Sequence, residues 1–591
     1  MLSCAAVRIR LREHWPLAAA LLITCYGALL RLDAFTQKYG TFDHPAWARV
    51  MTRDVAPLAR SLRPSRIRFG VERNPYVGGD PISYLQYSRE MTAFYQPHVR
   101  EPLFLATTRA SLWALDGQDA AVSLASAIGS LLAIFGTYLL GAAVVSRGAG
   151  LAAAALMAIE YENITWAVDG WRDDLFTGTC VFALWALVRL MDRPSFANAL
   201  IVGFTCGAAC LTRITALSFV VPALLYVALA VRDDRRRRLE RVAIAAVITA
   251  AVVGPFLLSC AIATGDPFFA INEHTSYYRF AEGVAKPARM TAAAYLREKF
   301  AGHPVATLDV GATGLLVRPF QTKWSGFDQW SWVVGALLWP ASLAGLAMWI
   351  FSVRGRLVLL VLATSLLPYA FTWNIGGGGQ WRFTMHVYPI YIVAAVHAYV
   401  ALFSRAWRGS PRLIARRAVT VAALAAAAAA VYLSLPWFVA LEATGKGDAV
   451  TISAGERDRV FYRDGWSPPH LEGNVVARVS ERAQTTVHFP LARKRDYNVV
   501  LRLDPVLPDA QQRITVLFNR QLIGTLRTSF SPDRVGSYAV PLPSAWVRTG
   551  ENEITVVAEP LVPAGSAGPR FAWLEPTQQV GVRFWYLRVL E

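Results

Sequence analysis

"RDDRRRRLERVAIAAVITAAVVGPFLLSCAIA", residues 232–263, sets a block of arginines directly against a long run without a single charge. A membrane helix needs about 20 mostly apolar residues, and short loops rich in Lys and Arg stay on the cytoplasmic side of a bilayer. This one stretch therefore predicts both a span and its orientation. The same rule gives further spans near 15–33, 120–145, 149–167, 174–190, 196–212, 214–231, 331–351, 356–373, 384–404 and 418–439, about eleven with the first. The apolar run inside 101–115 is shorter and reads as an interfacial segment. Of the 591 residues, 54% are hydrophobic and 17% charged, with a mean hydropathy of +0.35. That balance excludes an ordinary soluble globule and asks for an apolar body with sizeable aqueous parts.

Charge fixes the sides. Arg232–Arg241, Arg405–Arg417, the "SVRGR" ending at Arg356, and Arg8, Arg10 and Arg12 all fall on one face when the spans alternate as above. The net charge of +18 is thus read as topology, not as nucleic-acid binding. The other face, periplasmic or extracellular in a bacterium, receives a first loop 34–119, the short loops at 167–173 and 212–215, a long loop 264–330, the "NIGGGGQWRF" loop and everything after about 440. The N-terminus has the basic flank of a signal peptide, but its long apolar run without a clean small-x-small site favours an uncleaved first span. The six cysteines all precede residue 261, so a disulfide framework is not expected in the C-terminal part. Cys206 and Cys210 have helical spacing but no His partners, and read as small core residues.

After residue 450 the pattern changes to short, alternating, β-branched or aromatic runs. These are "TTVHFPL", "YNVVLRLD", "RITVLFN", "QLIGTLRTS", "SYAVPL", "NEITVVAE" and "VRFWYLRVL". Turns are expected at 519–521, 531–533 and 550–552, and the set predicts an antiparallel β-sandwich. "ITVLFNRQLIGTL" with "GENEITVVAE" resembles galactose-binding-like jelly-roll domains; Trp546 and Trp573 suit either a carbohydrate surface or the core. The expected fold class is therefore a polytopic α-helical membrane protein with a C-terminal antiparallel β-sandwich. Its domains are a membrane part over 1–440 and a sandwich over 450–591 on the outer side.

Polar groups beside a bilayer are costly unless paired or functional, and the predicted outer side concentrates them. "GGDPISYLQYSREM", Gly78 to Met91, places Asp80 just before a helical stretch at 82–95 that carries Tyr84. There Asp80 could act as a helix cap with Pro81 at the first helical position. "REPLF" brings Arg100 and Glu101 before a proline-initiated segment. "EYENITWAVDGWRDDLF" crowds Glu160, Glu162, Asp169, Asp173 and Asp174 around Arg172, with one or two available to cap the helix near Leu175. "LTRITAL" holds Arg213 between apolar spans, where it needs an anion or must snorkel to the interface. "GGGGQWRFTMHVYP" carries Arg382 and His386 at helical spacing after four glycines. "NEHTSYYRF" in the long loop offers Glu273, His274 and Arg279 to a substrate, while Tyr277 and Tyr278 read as an aromatic belt.

In their order and common sidedness, these motifs resemble the GT-C superfamily of membrane glycosyltransferases. The nearest branch contains protein O-mannosyltransferases and lipid A aminoarabinose transferases, and the likeness covers roughly 15–400. The resemblance implies a polyprenyl-phosphate-linked sugar donor, a glycan, lipid or protein acceptor, and transfer with inversion. By position it implies Asp80 as general base on the acceptor hydroxyl, with Asp43 in "GTFDHPAW" as a rival. Asp173 or Asp174 would be a second acidic site. Arg100 and Glu101 would lie by the donor phosphate, and Arg213 and Arg382 would be cations for it. Tyr84, Glu273, His274, Arg279 and His386 are the substrate-facing candidates. The superfamily also allows a divalent metal, but no ligand set can be placed from the sequence. A base near a hydroxyl and cations at a departing phosphate are what such chemistry requires. A transporter or flippase of a lipid-linked glycan is the competing class; it predicts charges in mid-span and inverted repeats, whereas these clusters sit at span ends. A mere anchor for the sandwich would need only one or two spans.

Overall fold

The computed structural model describes residues 4–64, 71, 73–74, 76–230, 235–285, 290–317, 331–372, 381–403, 411–463, 465–472, 475–507, 511–526, 536–568 and 571–591. Helices stand at all eleven expected span positions, and among the described residues seven are long and apolar enough to cross a membrane. The chain is a polytopic α-helical membrane protein with a C-terminal β-sandwich. By internal packing it divides into two compact units, 1–296 with 310–416, and 297–309 with 417–591.

One expected span is not continuous. Over 149–167 the chain forms two helices, Arg147–Ala158 and Tyr161–Asp169. The break has a polar cause: Glu160 turns its carboxylate to cap the second helix, accepting the Asn163 N–H at 2.7 Å. Its other oxygen accepts the Tyr388 hydroxyl at 3.2 Å.

The first unit is built on close helix approach. Helices Ala121–Val144 and Asp173–Asp192 touch backbone to backbone at Gly129, where a Cβ would lie 2.4 Å from the Leu175 backbone. Gly178 faces the same contact, a Cβ there falling 2.7 Å from the Gly129 carbonyl oxygen. Small residues let membrane helices meet this closely, where van der Waals packing supplies most of the association energy. The contact also sets the level of Asp173 and Asp174, which open the second of these helices.

The first long loop is ordered around short helices, Ala56–Leu62, Asp80–Glu90 and Pro102–Ala114 among them. The helix expected over 82–95 starts at Asp80 and stops at Glu90. Arg109 ends it by donating to the carbonyls of Ser88, at 3.3 Å, and of Met91. Gly79, not Asp80, occupies the cap, with φ of 69°. That is a left-handed conformation natural to glycine, and a Cβ there would also come within 3.3 Å of the Trp171 ring. Asp80 therefore stands in the first turn, where the helix dipole favours a carboxylate.

In the second unit the strands are β1 (Val450–Ser453), β2 (His470–Glu472), β3 (Val475–Val479), β4 (Gln484–Leu491), β5 (Tyr497–Pro505), β6 (Arg513–Phe518), β7 (Gln521–Leu526), β8 (Gly536–Leu542), β9 (Gly550–Glu559), β10 (Val562–Pro563), β11 (Gln579–Val580) and β12 (Val582–Leu590). One sheet runs β2-β3-β12-β5-β8, with β1 also on β12; the other runs β4-β9-β6-β7. Buried Val487, Phe489, Val499, Leu501, Phe518 and Phe584 fill the space between them. All seven strand runs read from the sequence are present. The 519–521 turn is a tight hairpin in which Asn519 and Arg520 both have positive φ, the geometry that matches strand twist. The turn expected at 550–552 is instead strand, Glu551 and Asn552 pairing with Pro490 and Phe489. The 531–533 turn lies outside the described residues. Trp546 packs against the main sandwich core and Trp573 against a smaller cluster with Phe571.

Part of the long loop 264–330 belongs to this second unit. Glu442, on the helix Pro411–Lys446, accepts the N–H groups of Val305 at 3.3 Å and Ala306 at 3.0 Å, capping helix Pro304–Ala312. Asp309 pairs with Arg457.

The glycine contact gives a direct test of the packing. Gly129→Ala pushes a methyl into the Leu175 backbone, an overpacking that costs about 1–3 kcal/mol. The purified variant is expected to unfold at lower temperature than the wild type, while Gly254→Ala, in a helix interior with open space around it, does not lower the midpoint.

Candidate active site

The first unit contains a cavity of about 870 Å³ lined by Asp80, Tyr84, Arg100, Glu101, Arg172, Arg213, Glu273, His274 and Tyr369, with tyrosines 277, 278 and 295 further along its wall. Three chain breaks and one helix deliver most of these groups. Arg100 and Glu101 precede helix Pro102–Ala114, and Arg172 precedes Asp173–Asp192. Arg213 is a single extended residue (φ −148°, ψ 121°) between helix Phe196–Thr212 and the next turn. His274 and Glu273 lie on helix Phe269–Ala281.

Ion pairs hold the basic end. The Glu101 carboxylate accepts from Arg172 at 2.5 Å with one oxygen and from the Ile214 N–H at 2.8 Å with the other. Burial alone would push its carboxyl up; Arg172 and that amide outweigh it and hold it below the usual range. For Arg172 the balance is similar: burial and Arg213 work against its charge, Glu101 supports it, and the net shift is upward. Arg213 donates to Asp173 and reaches the Tyr369 hydroxyl at 3.4 Å. Its guanidinium also lies 5.6 Å from the Phe176 ring and 5.5 Å from the Phe383 ring, a setting that suits a weakly hydrated, planar cation. Burial opposes that charge too, but Asp173 and Tyr369 raise its pKa overall.

Tyr84 sits at the centre. Its ring meets Phe104 edge-on and has Arg100 at 5.7 Å and Arg172 at 5.8 Å from its centroid. Burial pushes its hydroxyl up, and it feels Arg172, Arg100, Asp80 and Asp173 at once. Asp80 shares the cavity lining with these cations. Arg100 contacts the Nε2 of His274, whose Nδ1 lies 2.8 Å from the Ala270 carbonyl oxygen. Burial and then the two arginines, Arg100 and Arg172, push this imidazole down to about 4.

Of the residues singled out from the sequence, Asp80, Tyr84, Arg100, Glu101, Arg213, Glu273 and His274 line this one cavity. Asp173 is bonded to Arg213 but is not part of the lining. Asp174 sits elsewhere: it accepts from the Ser126 hydroxyl at 3.0 Å, and Ser126 also donates to the Trp171 carbonyl. His386 is buried against the rings of Phe176 and Tyr369, off the cavity, because residues 381–387 form a tight helical turn that directs it into the bundle. Arg279 shares a helix with His274 but does not line the cavity. The rival base Asp43 pairs with Arg53 at the exposed surface. The side chain of Arg382 and the four glycines before it lie outside the described residues.

Arg172 and Tyr369 are among the lining groups missed as site residues. Arg172 reads in the sequence only as the hub of an acidic cluster, and Tyr369 is a lone tyrosine after Pro368 in an apolar run; neither carries a spacing signal. Tyr277 and Tyr278 line the cavity where an aromatic belt was expected. No cluster of three or more His, Cys, Asp or Glu able to hold a metal ion occurs among the described residues. Glu101 is engaged on both oxygens and Asp173 is bonded to Arg213, so the basic end does not fit a cation.

The family model described as dolichyl-phosphate-mannose-protein mannosyltransferase matches residues 100–258. That segment carries Arg100, Glu101, Arg172, Asp173 and Arg213, and bears out the GT-C resemblance there. No functionally curated protein matches the sequence. Among solved structures, the archaeal oligosaccharyltransferase AglB from Archaeoglobus fulgidus, in complex with an inhibitory peptide and a dolichol-phosphate, is 17% identical with a TM-score of 0.41, over 72% of this chain and 56% of that one. ArnT from Cupriavidus metallidurans bound to undecaprenyl phosphate is 18% identical with a TM-score of 0.35, over 62% and 61%. Arabinosyltransferase EmbB from Mycobacterium smegmatis is 11% identical with a TM-score of 0.19, over 92% and 68%. The chain thus spans little more than half the length of the archaeal enzyme.

The ion pairs make two predictions. Glu101→Ala strands the buried Arg172 charge and is expected to cost about 3–5 kcal/mol, read as a large fall in the thermal midpoint of the purified protein. Acidification acts in the same direction. His274 is held neutral and Glu101 ionised in the folded state, and both bind protons more readily unfolded. Stability is therefore full near neutral pH and declines as pH falls from the unfolded histidine range, about 6.5, toward 4. His274→Gln is expected to flatten the upper part of that decline in a pH series of unfolding midpoints.

Proposed function

We propose that the protein is an integral-membrane glycosyltransferase that moves a sugar from a polyprenyl-phosphate carrier to an acceptor hydroxyl, in the cavity bounded by Asp80 and the three arginines. The observation that carries this reading is the convergence of Arg100, Arg172 and Arg213 on one cavity, where Arg172 pairs with Glu101 and Arg213 with Asp173. Three guanidinium groups gathered at one end of a prearranged cavity, at the ends of apolar helices and with Asp80 and Glu273 elsewhere on its lining, suit the phosphate of a membrane lipid. The mannosyltransferase family match over 100–258 supports the same chemistry.

In this reading the donor phosphate lies against Arg100, Arg172 and Arg213. The acceptor oxygen attacks the anomeric carbon, the bond from that carbon to the phosphate oxygen breaks, and the electron pair leaves with the lipid phosphate. Asp80 accepts the proton from the attacking hydroxyl, and attack opposite the leaving group inverts the anomeric centre. Asp173 positions Arg213 from behind the wall, and Asp174 fixes the start of its helix through Ser126. Tyr84 and Glu273 face the sugar or acceptor, which is a glycan, a lipid or a protein. With the arginine-rich loops taken as cytoplasmic, the cavity and residues 450–591 face the other side, the periplasm or exterior of a bacterial inner membrane in this reading. Residues 1–440 form the catalytic domain.

Transfer from a radiolabelled polyprenyl-phosphate sugar to cell-envelope acceptors, with the protein in membranes, tests the assignment. Asp80→Asn is expected to lower kcat by about 10²–10⁴-fold, the usual worth of a general base, while Asp43→Asn stays near wild type. Full transfer by Asp80→Asn would overturn the role of Asp80; no glycan change with and without the wild-type protein would overturn the function.

A further inference from the structure

Each of the three cavity arginines has a different partner, and the difference bears on which one holds the anion. Arg172 is paired with Glu101 and Arg213 with Asp173. Arg100, by contrast, contacts the imidazole of His274. The protonation of that ring follows from its geometry. A carbonyl oxygen can only accept, so the Nδ1 facing Ala270 carries the proton. A guanidinium can only donate, so the Nε2 facing Arg100 presents a lone pair. Both conditions hold only for the neutral ring.

We propose that His274 is a positioning residue whose neutral Nε2 aims the Arg100 guanidinium into the cavity without cancelling its charge, making Arg100 the principal contact of the donor phosphate. A carboxylate in the same place would orient the guanidinium equally well but neutralise it, as Glu101 and Asp173 do for their partners. The groups facing His274 fit this role. Arg100 and Glu101 come from the segment before helix Pro102–Ala114, Arg172 from the start of Asp173–Asp192, and Glu273 precedes it on its own helix; Asp80 and Arg213 line the same cavity. Burial and then the two nearby cations oppose protonation of the ring, so it stays an acceptor at neutral pH.

This inference rests on the proposed donor, and the experiment separates the two. Binding of undecaprenyl phosphate to the purified protein in lipid nanodiscs at pH 7.5 is compared for wild type, Arg100→Ala, His274→Gln and His274→Glu. Gln and Glu have the same shape and both can accept from Arg100; they differ in charge. His274→Gln is expected to keep affinity within about threefold of wild type, and His274→Glu to lose at least about tenfold, the scale of one added charge in a partly dry site. In the transfer assay the loss appears in KM for the donor more than in kcat. A merely space-filling role would move both variants alike. Equal affinity of His274→Glu and wild type overturns the inference. So does loss of binding in a folded His274→Gln as complete as in Arg100→Ala, which keeps the test decisive if the Glu variant fails to fold. Absence of lipid-phosphate binding by the wild type overturns the donor reading and this inference with it.

Discussion

The site depends on one carboxylate. Glu101 accepts the Arg172 guanidinium on one oxygen and the Ile214 amide on the other, and so joins three chain breaks that are far apart in sequence. The loop before helix Pro102–Ala114 is tied to the start of Asp173–Asp192, and both to the gap after helix Phe196–Thr212. A buried carboxylate with one oxygen unsatisfied would be expensive. With both satisfied by charge-assisted or amide donors it becomes a rivet. Everything lining the basic end of the cavity hangs from it: Arg213 is the residue before Ile214, and Arg100 is the residue before Glu101.

A second layer fixes the same helix ends from inside the bundle. The glycine contact between Ala121–Val144 and Asp173–Asp192 brings Ser126 to Asp174 and to the Trp171 carbonyl. Arg31, on the first helix, reaches Ser130 at 2.8 Å and the Ala158 carbonyl oxygen at 3.2 Å. The two adjacent aspartates thus part company. Asp173 turns to Arg213 at the cavity wall, and Asp174 turns to the serines of the neighbouring helix. Successive residues at a helix start point about 100° apart, so one carboxylate serves the site and the other the scaffold.

The β-sandwich unit holds itself together on different principles, an apolar interior between two sheets. Helix Pro411–Lys446 contributes Ala440 to its core, with Trp437 packed against it, and Trp437 stacks on Phe461 at 5.9 Å. The loop segment around 304–309 is bonded into the same unit through Glu442 and Arg457, although nothing in its local pattern distinguishes it from the rest of the long loop.

By itself the sequence determined the spans, the sandwich strands and the set of motifs that bear charge, because apolar length and two-residue alternation are local properties that burial enforces wherever the chain goes. It also determined that these charges cluster at helix ends, where a polar group beside a bilayer is affordable. Only the tertiary structure decided which of them meet. Arg172 and Tyr369 join the cavity, Asp174 and His386 turn away from it, and Asp43 is left at the surface with Arg53. That division depends on side-chain direction at helix termini and on partners more than a hundred residues distant, such as Glu101 with Ile214, and no periodicity along the chain encodes either.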